Sequence, residues 1–280
     1  MFFTDLYYAI KIWKRARKPM IPAIGEGKSL YILANGPSLR QMYEKNIDFF
    51  VDKNVLCVNL IAETEFYTKL KPLIYVIIDG VPLGTDHNMT EDEKNVARVT
   101  RESIVNKTDW EMYLVLPYAS KGSRLAEEAE KNKHIHVVFV NTNVYKGKSV
   151  AIEYFLWNKF WCCPRMDNVL VASIFYGILM RFNEIFLYGS DHDWIKSIEV
   201  DDKNRVFDCS KHVYEEDNAK ILFRIPNENR CKKFGELLKD WASVWNTYYI
   251  LNDFAKKNKI SIYNATKNSL IDAFPRKAEG

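Results

Sequence analysis

Short apolar segments alternate with longer polar or amphipathic segments along most of the chain. The apolar segments have the length and composition of buried strands, and they cover residues 29–34, 54–62, 72–79, 111–117, 134–141, 184–191 and 260–266. Helical spacing or composition marks residues 38–46, 91–106, 123–132, 167–182 and 228–257. Strands that alternate with helices are typical of βαβ units. The pattern therefore predicts an α/β protein with a mainly parallel sheet.

The first 20 residues form a separate amphipathic and basic segment, predicted as a helix over 1–20. Its apolar residues recur at helical spacing: Phe3, Leu6, Tyr7, Ile10 and Trp13. Its basic residues crowd the later turns: Lys11, Lys14, Arg15, Arg17 and Lys18. A signal peptide carries its charges before the apolar run, and here they follow it. Two interpretations stay open: an interfacial helix that contacts a membrane through residues 2–18, or a helix packed on its own domain.

The composition of the chain argues against several classes of protein. The chain has 40 basic and 36 acidic residues, a net charge of +4, so we expect no nucleic-acid partner. Its five cysteines are odd in number and Cys162 and Cys163 are adjacent, which argues against a disulfide framework or a zinc site and favours a reducing cytoplasm. No segment approaches the roughly 20 apolar residues of a membrane span. Self-association as a homo-oligomer is left open.

Polar residues follow several predicted strands at the point where each strand ends. They are Asn35, Gly36, Asn59, Asp79, Asp191 and the group after Tyr263. Ligands of parallel sheets bind beyond the carboxyl ends of the strands. We therefore expect these residues to line one site.

The first of these junctions reads Asn35-Gly36-Pro37-Ser38. Gly36 permits a close backbone approach or a positive φ, Pro37 presets a first helical turn, and Ser38 adds a hydroxyl. A helix that begins here presents free N–H groups that suit a phosphate. The junction lacks both G-x-G-x-x-G and G-x-x-x-x-G-K-[ST], so a nicotinamide cofactor and Walker-type ATP binding are disfavoured. A plain strand–turn–helix junction is the other interpretation.

Four stretches together carry a family resemblance: LYILANGPSLR, VNLIAE, EIFLYGSDHDW and IYNATKNSLIDAF. They resemble the bacterial sialyltransferases of glycosyltransferase family 42 and related N-G-P-S-L proteins. The resemblance implies a Rossmann-like fold with helices on both faces, in one domain over 28–276 with a mobile lid at about 192–226. It also implies inverting transfer of a keto-sugar acid from a CMP-sugar donor to a glycan or lipid-linked saccharide. Neither a metal nor another cofactor is expected, and a cytoplasmic location, with peripheral contact to the inner membrane face, fits this chemistry.

The resemblance also assigns roles to residues by position. Asn35, Gly36 and Ser38 are expected to hold the phosphate and ribose, and Asn59 to reach the donor. The remaining expected donor contacts are Pro37, Asp167, Asn168, Gly189, Ser190, Asn268 and Ser269. For each residue a turn or helix cap is the other interpretation, and Asp167 in particular is expected to cap the following helix.

A base must take the proton of the acceptor hydroxyl, and imidazole has a suitable pKa. His212 lies where the family places its catalytic histidine, and nearby Tyr214 is a candidate partner for the leaving phosphate. The rival base lies in Asp191-His192-Asp193 at a strand end.

Two other functions remain open. A pyrophosphokinase that acts on a pterin alcohol resembles the N-G-P-S-L fold distantly and would need Mg²⁺, with Asp191 and Asp193 as ligands. A scaffold without catalytic activity would bind a nucleotide-sugar and not turn it over.

Overall fold

The computed structural model describes residues 2–86, 89–209, 221–223 and 230–277. Its strands are β1 (Ser29–Leu33), β2 (Val55–Val58), β3 (Ile74–Val76), β4 (Met112–Pro117), β5 (Ile135–Val140), β6 (Glu184–Tyr188), β7 (Ile198–Val200), β8 (Val206–Asp208), β9 (Ile221–Leu222) and β10 (Ser261–Asn264). Its helices are α1 (Phe2–Arg15), α2 (Pro37–Asn46), α3 (Phe66–Leu70), α4 (Gly80–Leu83), α5 (Glu91–Lys107), α6 (Arg124–Ala129), α7 (Val150–Asn158), α8 (Val169–Leu179) and α9 (Phe234–Lys257).

Seven strands form one sheet in the order β10-β6-β1-β2-β3-β4-β5. Every neighbouring pair is parallel. The chain proceeds from β1 outward to β5 and then returns to place β6 and β10 on the other side of β1. The order of the strands therefore reverses between β1 and β6, which is the position where α/β sheets bind ligands. The predicted α/β, Rossmann-like fold with a mainly parallel sheet is confirmed.

Burial along the strands reflects their places in the sheet. After Ser29, every residue of β1 is buried, which explains its continuous apolar sequence. The edge strand β5 has exposed or half-buried residues between buried ones. Helix α8 is apolar all round because it contacts strands β1, β2 and β3 as well as α9.

The polar region after β6 contains structure that the sequence pattern does not predict. β7, β8 and β9 form a small antiparallel sheet. This sheet lies within the predicted lid at 192–226, of which residues 210–220 and 224–229 fall outside the described residues. The mobility of the lid stays a prediction. Outside the lid, the sequence pattern also does not predict helix α7.

Helix α1 is shorter than its predicted range of 1–20 and ends at Arg15. One face packs on the domain through the buried residues Asp5 and Ile12. The Asp5 carboxylate accepts hydrogen bonds from the Tyr145 hydroxyl (2.7 Å) and from the Ser149 N–H (3.2 Å) just before α7. Among the helices that the structure describes, none is both long and apolar enough to cross a membrane.

Candidate functional site

A cavity of about 500 Å³ opens at the carboxyl ends of β1, β2, β3 and β6. It lies where the strand order reverses. Its lining includes these polar or aromatic residues: Asn35, Asn59, Asp79, Asp167, Asn168, Asp191, His192, Asp193, Trp194, Ser197 and Cys209. Gly36, Pro37 and Gly189 contribute backbone to its wall. Of the residues expected to meet at this edge of the sheet, Asn35, Gly36, Asn59, Asp79 and Asp191 line the cavity, whereas the group after Tyr263 does not.

Gly36 joins the ends of β1 and β6. Its N–H donates to the Gly189 carbonyl at 2.8 Å. A Cβ at this position would overlap the Asp191 carboxylate and the Gly189 carbonyl. Its φ is −71°, so the expected alternative of a positive φ is wrong. Glycine is needed here because two strand ends approach each other closely.

The N-terminus of α2 is occupied by the Asp191 carboxylate, from the loop after β6. Pro37 stands in the first turn, as predicted, and the helix has no side-chain cap of its own. The Ser38 hydroxyl donates to Asp191 Oδ2 at 2.8 Å, and the Ser38 backbone also bonds to this side chain. The Asp191 carboxylate therefore already bonds to the groups that were predicted to hold a phosphate. An anion bound at this helix end would lie beside that carboxylate.

Asn59 follows β2 in the left-handed region, with a φ of 46°. The Tyr75 hydroxyl donates to the Asn59 carbonyl at 2.7 Å and fixes this conformation. The Asn59 amide donates to Asp79 Oδ2, also at 2.7 Å. Among the described residues, the buried side-chain oxygens of Asn59 and Asn35 have no hydrogen-bond partner. Buried polar atoms are normally paired, so these two oxygens mark the wall as a place for a polar ligand.

Two carboxylates of the cavity have raised pKa values. Burial raises the pKa of Asp191, and the charge of Asp193 raises it further, against the hydrogen bonds from Ser38. Asp79 reaches solvent at the rim, but the protein around it displaces enough water to raise its pKa, and Asp86 adds to the effect. Raised pKa values are common among carboxyl groups that take part in proton transfer.

His192 is held in a buried polar and aromatic cluster. Its Nε2 lies 2.6 Å from the Tyr248 hydroxyl, and the Asn168 amide donates to that hydroxyl at 3.0 Å. The ring of Trp194 lies 4.2 Å away between centroids. Burial lowers the pKa of His192 to about 3, so the imidazole is neutral near pH 7 and a weak base. We therefore interpret His192 as a positioning residue of the cavity wall.

The junction before α8 differs from the expected arrangement. Asn168 caps the helix, because its Oδ1 accepts from the Val171 N–H at 2.9 Å. The expectation that Asp167 caps it is wrong. The Asp167 carboxylate instead pairs with Arg165 (2.6 Å) and accepts from the Ser243 hydroxyl (3.1 Å).

A second cavity of about 440 Å³ adjoins the first and shares Asp167, Asn168 and Trp194 with it. Its further lining residues include Arg165, Asp208, Phe223, Lys232, Asp240 and Trp241. The indole rings of Trp194 and Trp241 lie 6.1 Å apart between centroids. Aromatic faces flanked by charged side chains can hold a polyhydroxylated ligand through stacking and hydrogen bonds.

Residues expected at the donor on the β10 side lie elsewhere. Ser269 is buried, and its hydroxyl bonds to the Asn264 amide and the Ser190 carbonyl. Asn268 has a φ of 60° and lines a separate cavity with Arg276. No helix follows these residues up to position 277, so a helix-capping role for Asn268 and Ser269 is wrong. Ser190 is fully buried and does not line the main cavity. Any donor contact by these three residues would therefore lie outside the main cavity.

His212 and Tyr214 lie outside the described residues, and their catalytic roles stay predictions. Tyr248 is a buried residue behind the cavity wall, in contact with His192 and Asn168, and sequence reasoning missed it. It stands in the middle of α9 and reaches His192 across a long sequence separation, and no local pattern could have identified it.

The main cavity is acidic. Four carboxylates line it, and no lysine or arginine does so in the described part of the chain: the acids are Asp79, Asp167, Asp191 and Asp193. The sequence offers Arg40, Lys211 and Arg276 as cations that could help bind an acidic donor. Arg40 pairs with Glu44, Arg276 bonds to backbone carbonyls, and Lys211 lies outside the described residues. In the residues described, no three His, Cys, Asp or Glu side chains form a group that could hold a metal ion.

No protein-family model matches this sequence, and no curated protein matches it. Among solved structures, the MAf glycosyltransferase from Magnetospirillum magneticum AMB-1 is similar, with a TM-score of 0.50 and 11% sequence identity. The match covers 98% of this chain and 38% of that chain. This chain therefore spans well under half the length of the similar protein, and the likeness shows the shared α/β fold.

Proposed function

We propose that this chain is a glycosyltransferase that moves a keto-sugar acid from a CMP-activated donor to a glycan or lipid-linked saccharide, with inversion at the anomeric carbon. One observation carries the proposal. Amide, glycine and carboxylate groups from the ends of four neighbouring strands meet in one cavity where the strand order reverses. The similar solved structure is named a glycosyltransferase, which supports this class of activity.

The donor is proposed to bind in the main cavity. The side-chain oxygens of Asn35 and Asn59 lack partners among the described residues, and they can accept from the cytosine amino group or the ribose hydroxyls. The carboxylates of the lining repel a phosphate. We therefore propose that the donor phosphate accepts hydrogen bonds from neutral N–H and hydroxyl groups.

The acceptor is proposed to bind in the adjoining cavity. Trp194 and Trp241 offer ring faces to a sugar, and Arg165 and Lys232 stand beside them. Because the two cavities share Asp167, Asn168 and Trp194, an acceptor hydroxyl can reach the anomeric carbon of a donor in the main cavity.

Asp191 is the proposed base. Its carboxylate lies in the main cavity and has a raised pKa, whereas the pKa of His192 is too low for the task. The base takes the proton of the acceptor hydroxyl while the new glycosidic bond forms, and CMP leaves with the electrons of the broken bond. His212 is the competing base, so the Asp191→Asn and His212→Ala variants should be assayed together. Retained turnover in either variant removes that residue from the role.

The acidic lining favours a second candidate, a Mg²⁺-dependent nucleotide-using transferase in which Asp191 and Asp193 meet the metal. A calorimetric screen of CMP, ATP and UDP-sugars, each with Mg²⁺ and with EDTA, separates the functions. Tight binding of CMP in EDTA, followed by transfer from a CMP-sugar, supports the glycosyltransferase. Binding of ATP only with Mg²⁺ supports the second candidate. CMP binding without turnover of any CMP-sugar indicates a nucleotide-binding scaffold.

A further inference from the structure

Helix α1 presents a continuous apolar face to solvent. Tyr7 is 59% and Trp13 60% exposed, and Phe3 is 83% exposed. Leu6 and Ile10 lie between them at helical spacing, and each is 44% exposed. Isolated apolar residues are common on protein surfaces, but a contiguous apolar stripe of this kind marks an interaction site.

The opposite face of α1 holds the helix firmly on the domain. Asp5 is 3% and Ile12 5% exposed, and the Asp5 carboxylate accepts bonds from Tyr145 and from the backbone before α7. The segment after the helix is also fixed, because Arg17 and the Asn141 side chain exchange two hydrogen bonds of 3.0 and 2.9 Å. The outward direction of the apolar stripe is therefore set by the fold.

Helix α7 extends the stripe into a cleft. An apolar cavity of about 320 Å³ lies between the two helices, with Leu6, Ile10 and Trp13 on one side and Phe155 and Trp161 on the other. Phe155 is itself 54% exposed. A cleft with an almost wholly carbon surface is suited to a hydrocarbon chain.

Positive charge surrounds this apolar face. Lys11, Lys14 and Arg15 lie on α1, and Arg17 and Lys18 follow it. Within the described residues, none of these five forms an ion pair. The single acidic side chain of α1, Asp5, points into the domain. Aromatic residues beside unpaired cations match an interface of acyl chains and anionic headgroups.

We propose that the face formed by α1 and α7 docks on a membrane surface that contains anionic lipids. The apolar stripe and the cleft enter the boundary between headgroups and acyl chains, and the basic residues contact lipid phosphates. The Arg17–Asn141 attachment lies at the carboxyl end of β5, at the same edge of the sheet as the main cavity. This inference does not depend on the glycosyltransferase proposal.

Flotation of the whole chain with vesicles tests the proposal. We expect binding to vesicles that contain phosphatidylglycerol, weaker binding to pure phosphatidylcholine, and release by high salt. The Ile10→Gln/Trp13→Gln variant should lose at least about tenfold in vesicle affinity, since it removes two apolar anchors. Lys14→Gln/Arg15→Gln should lose the preference for the anionic vesicles.

Matched controls replace equally exposed residues elsewhere, with Val200→Gln/Leu238→Gln for the apolar pair and Lys133→Gln/Lys239→Gln for the basic pair. Both controls should bind as the unmodified chain does, and all variants should show the same thermal unfolding. Equal vesicle binding by Ile10→Gln/Trp13→Gln overturns the proposal. So does an absence of vesicle binding together with a dimer that this variant dissociates in sedimentation experiments, because the face would then join two copies of the chain.

Discussion

Strand β6 lies between β10 and β1, and a polar loop follows on each of these two sides, here called the β10 flank and the β1 flank. The two loops have similar composition but different hydrogen bonding. On the β10 flank, the buried Asn264 side chain bonds to Ser269, to the Ile271 carbonyl and to the Thr266 N–H. Arg276 closes this loop by donating to the carbonyls of Thr266 and Ser269. Such a network fixes a chain segment.

On the β1 flank, Ser38 bonds to Asp191 and the Asn59 amide to Asp79, but other polar atoms have no partner in the described part of the chain. The side-chain oxygens of Asn35 and Asn59 lack partners among the described residues, and Asp79 and Asp191 have raised pKa values. Asparagine side chains thus serve stability on the β10 side of β6, whereas on the β1 side two of their oxygens remain available to a ligand. The sequence motifs N-G-P-S and N-A-T-K-N-S do not reveal this difference by themselves.

The largest expected effect is that of Asp191→Asn on transfer. Loss of a general base should lower the rate by about 100- to 10,000-fold. Burial raises the pKa of Asp191 in the folded chain, so the ionised carboxylate opposes folding above that pKa. The neutral amide of the Asp191→Asn variant should therefore not lower the free energy of unfolding at pH 7. Steady-state kinetics and urea unfolding measure the two quantities, with the exposed Asp272→Asn as control. A stable variant with full activity would contradict the proposed role.

Next in size is the effect of Asn264→Ala on stability. The change leaves the Thr266 N–H and the Ile271 carbonyl without a partner, and we expect a loss of about 3 kcal/mol in the free energy of unfolding. Urea denaturation measures the loss, and the exposed Asn95→Ala should change stability by less than about 0.5 kcal/mol. CMP affinity of the folded variant should remain. If affinity falls as far as stability does, the two flanks of β6 do not have separate roles.

The pH dependence of stability is a smaller effect. In the unfolded chain His192 takes up a proton near its ordinary pKa of about 6.5, but in the folded chain only near pH 3. Stability should therefore fall as the pH drops, by about 2 kcal/mol from pH 6.5 to pH 5 for this residue. Comparison with His192→Gln isolates the contribution, since the variant lacks this titration. Identical slopes in the two proteins would show that His192 is not buried as a neutral ring.

Much of the fold could be predicted because the seven main strands are short apolar runs with clear ends. Each run is confirmed as a strand, although the run over 54–62 ends early, at Val58, because Asn59 takes a left-handed conformation. Helix α7 was missed since its sequence is apolar around most of its circumference and has weak periodicity. The strands β7 to β9 are too short to leave a pattern.

The location of the main cavity could also be predicted, from the rule that polar residues at the ends of parallel strands meet. The rule placed Asn35, Asn59 and Asp191 together, and they do line one cavity. It could not predict that Asp191 would occupy the N-terminus of α2, because that contact depends on how closely β1 and β6 end. Nor could it find Tyr248, whose contact with His192 exists only after α9 has packed.

The most direct test of the central claim is a calorimetric titration of CMP into three variants. Asn35→Ala and Asn59→Gly remove side chains from the β1 flank, and Asn268→Gly removes the matched amide from the β10 flank without straining its positive φ. We predict that each cavity variant weakens CMP binding about tenfold, the effect of one lost hydrogen bond, and that Asn268→Gly leaves it unchanged. Unchanged binding in both cavity variants, with loss in Asn268→Gly, would place the nucleotide on the other side of β6 and contradict the account.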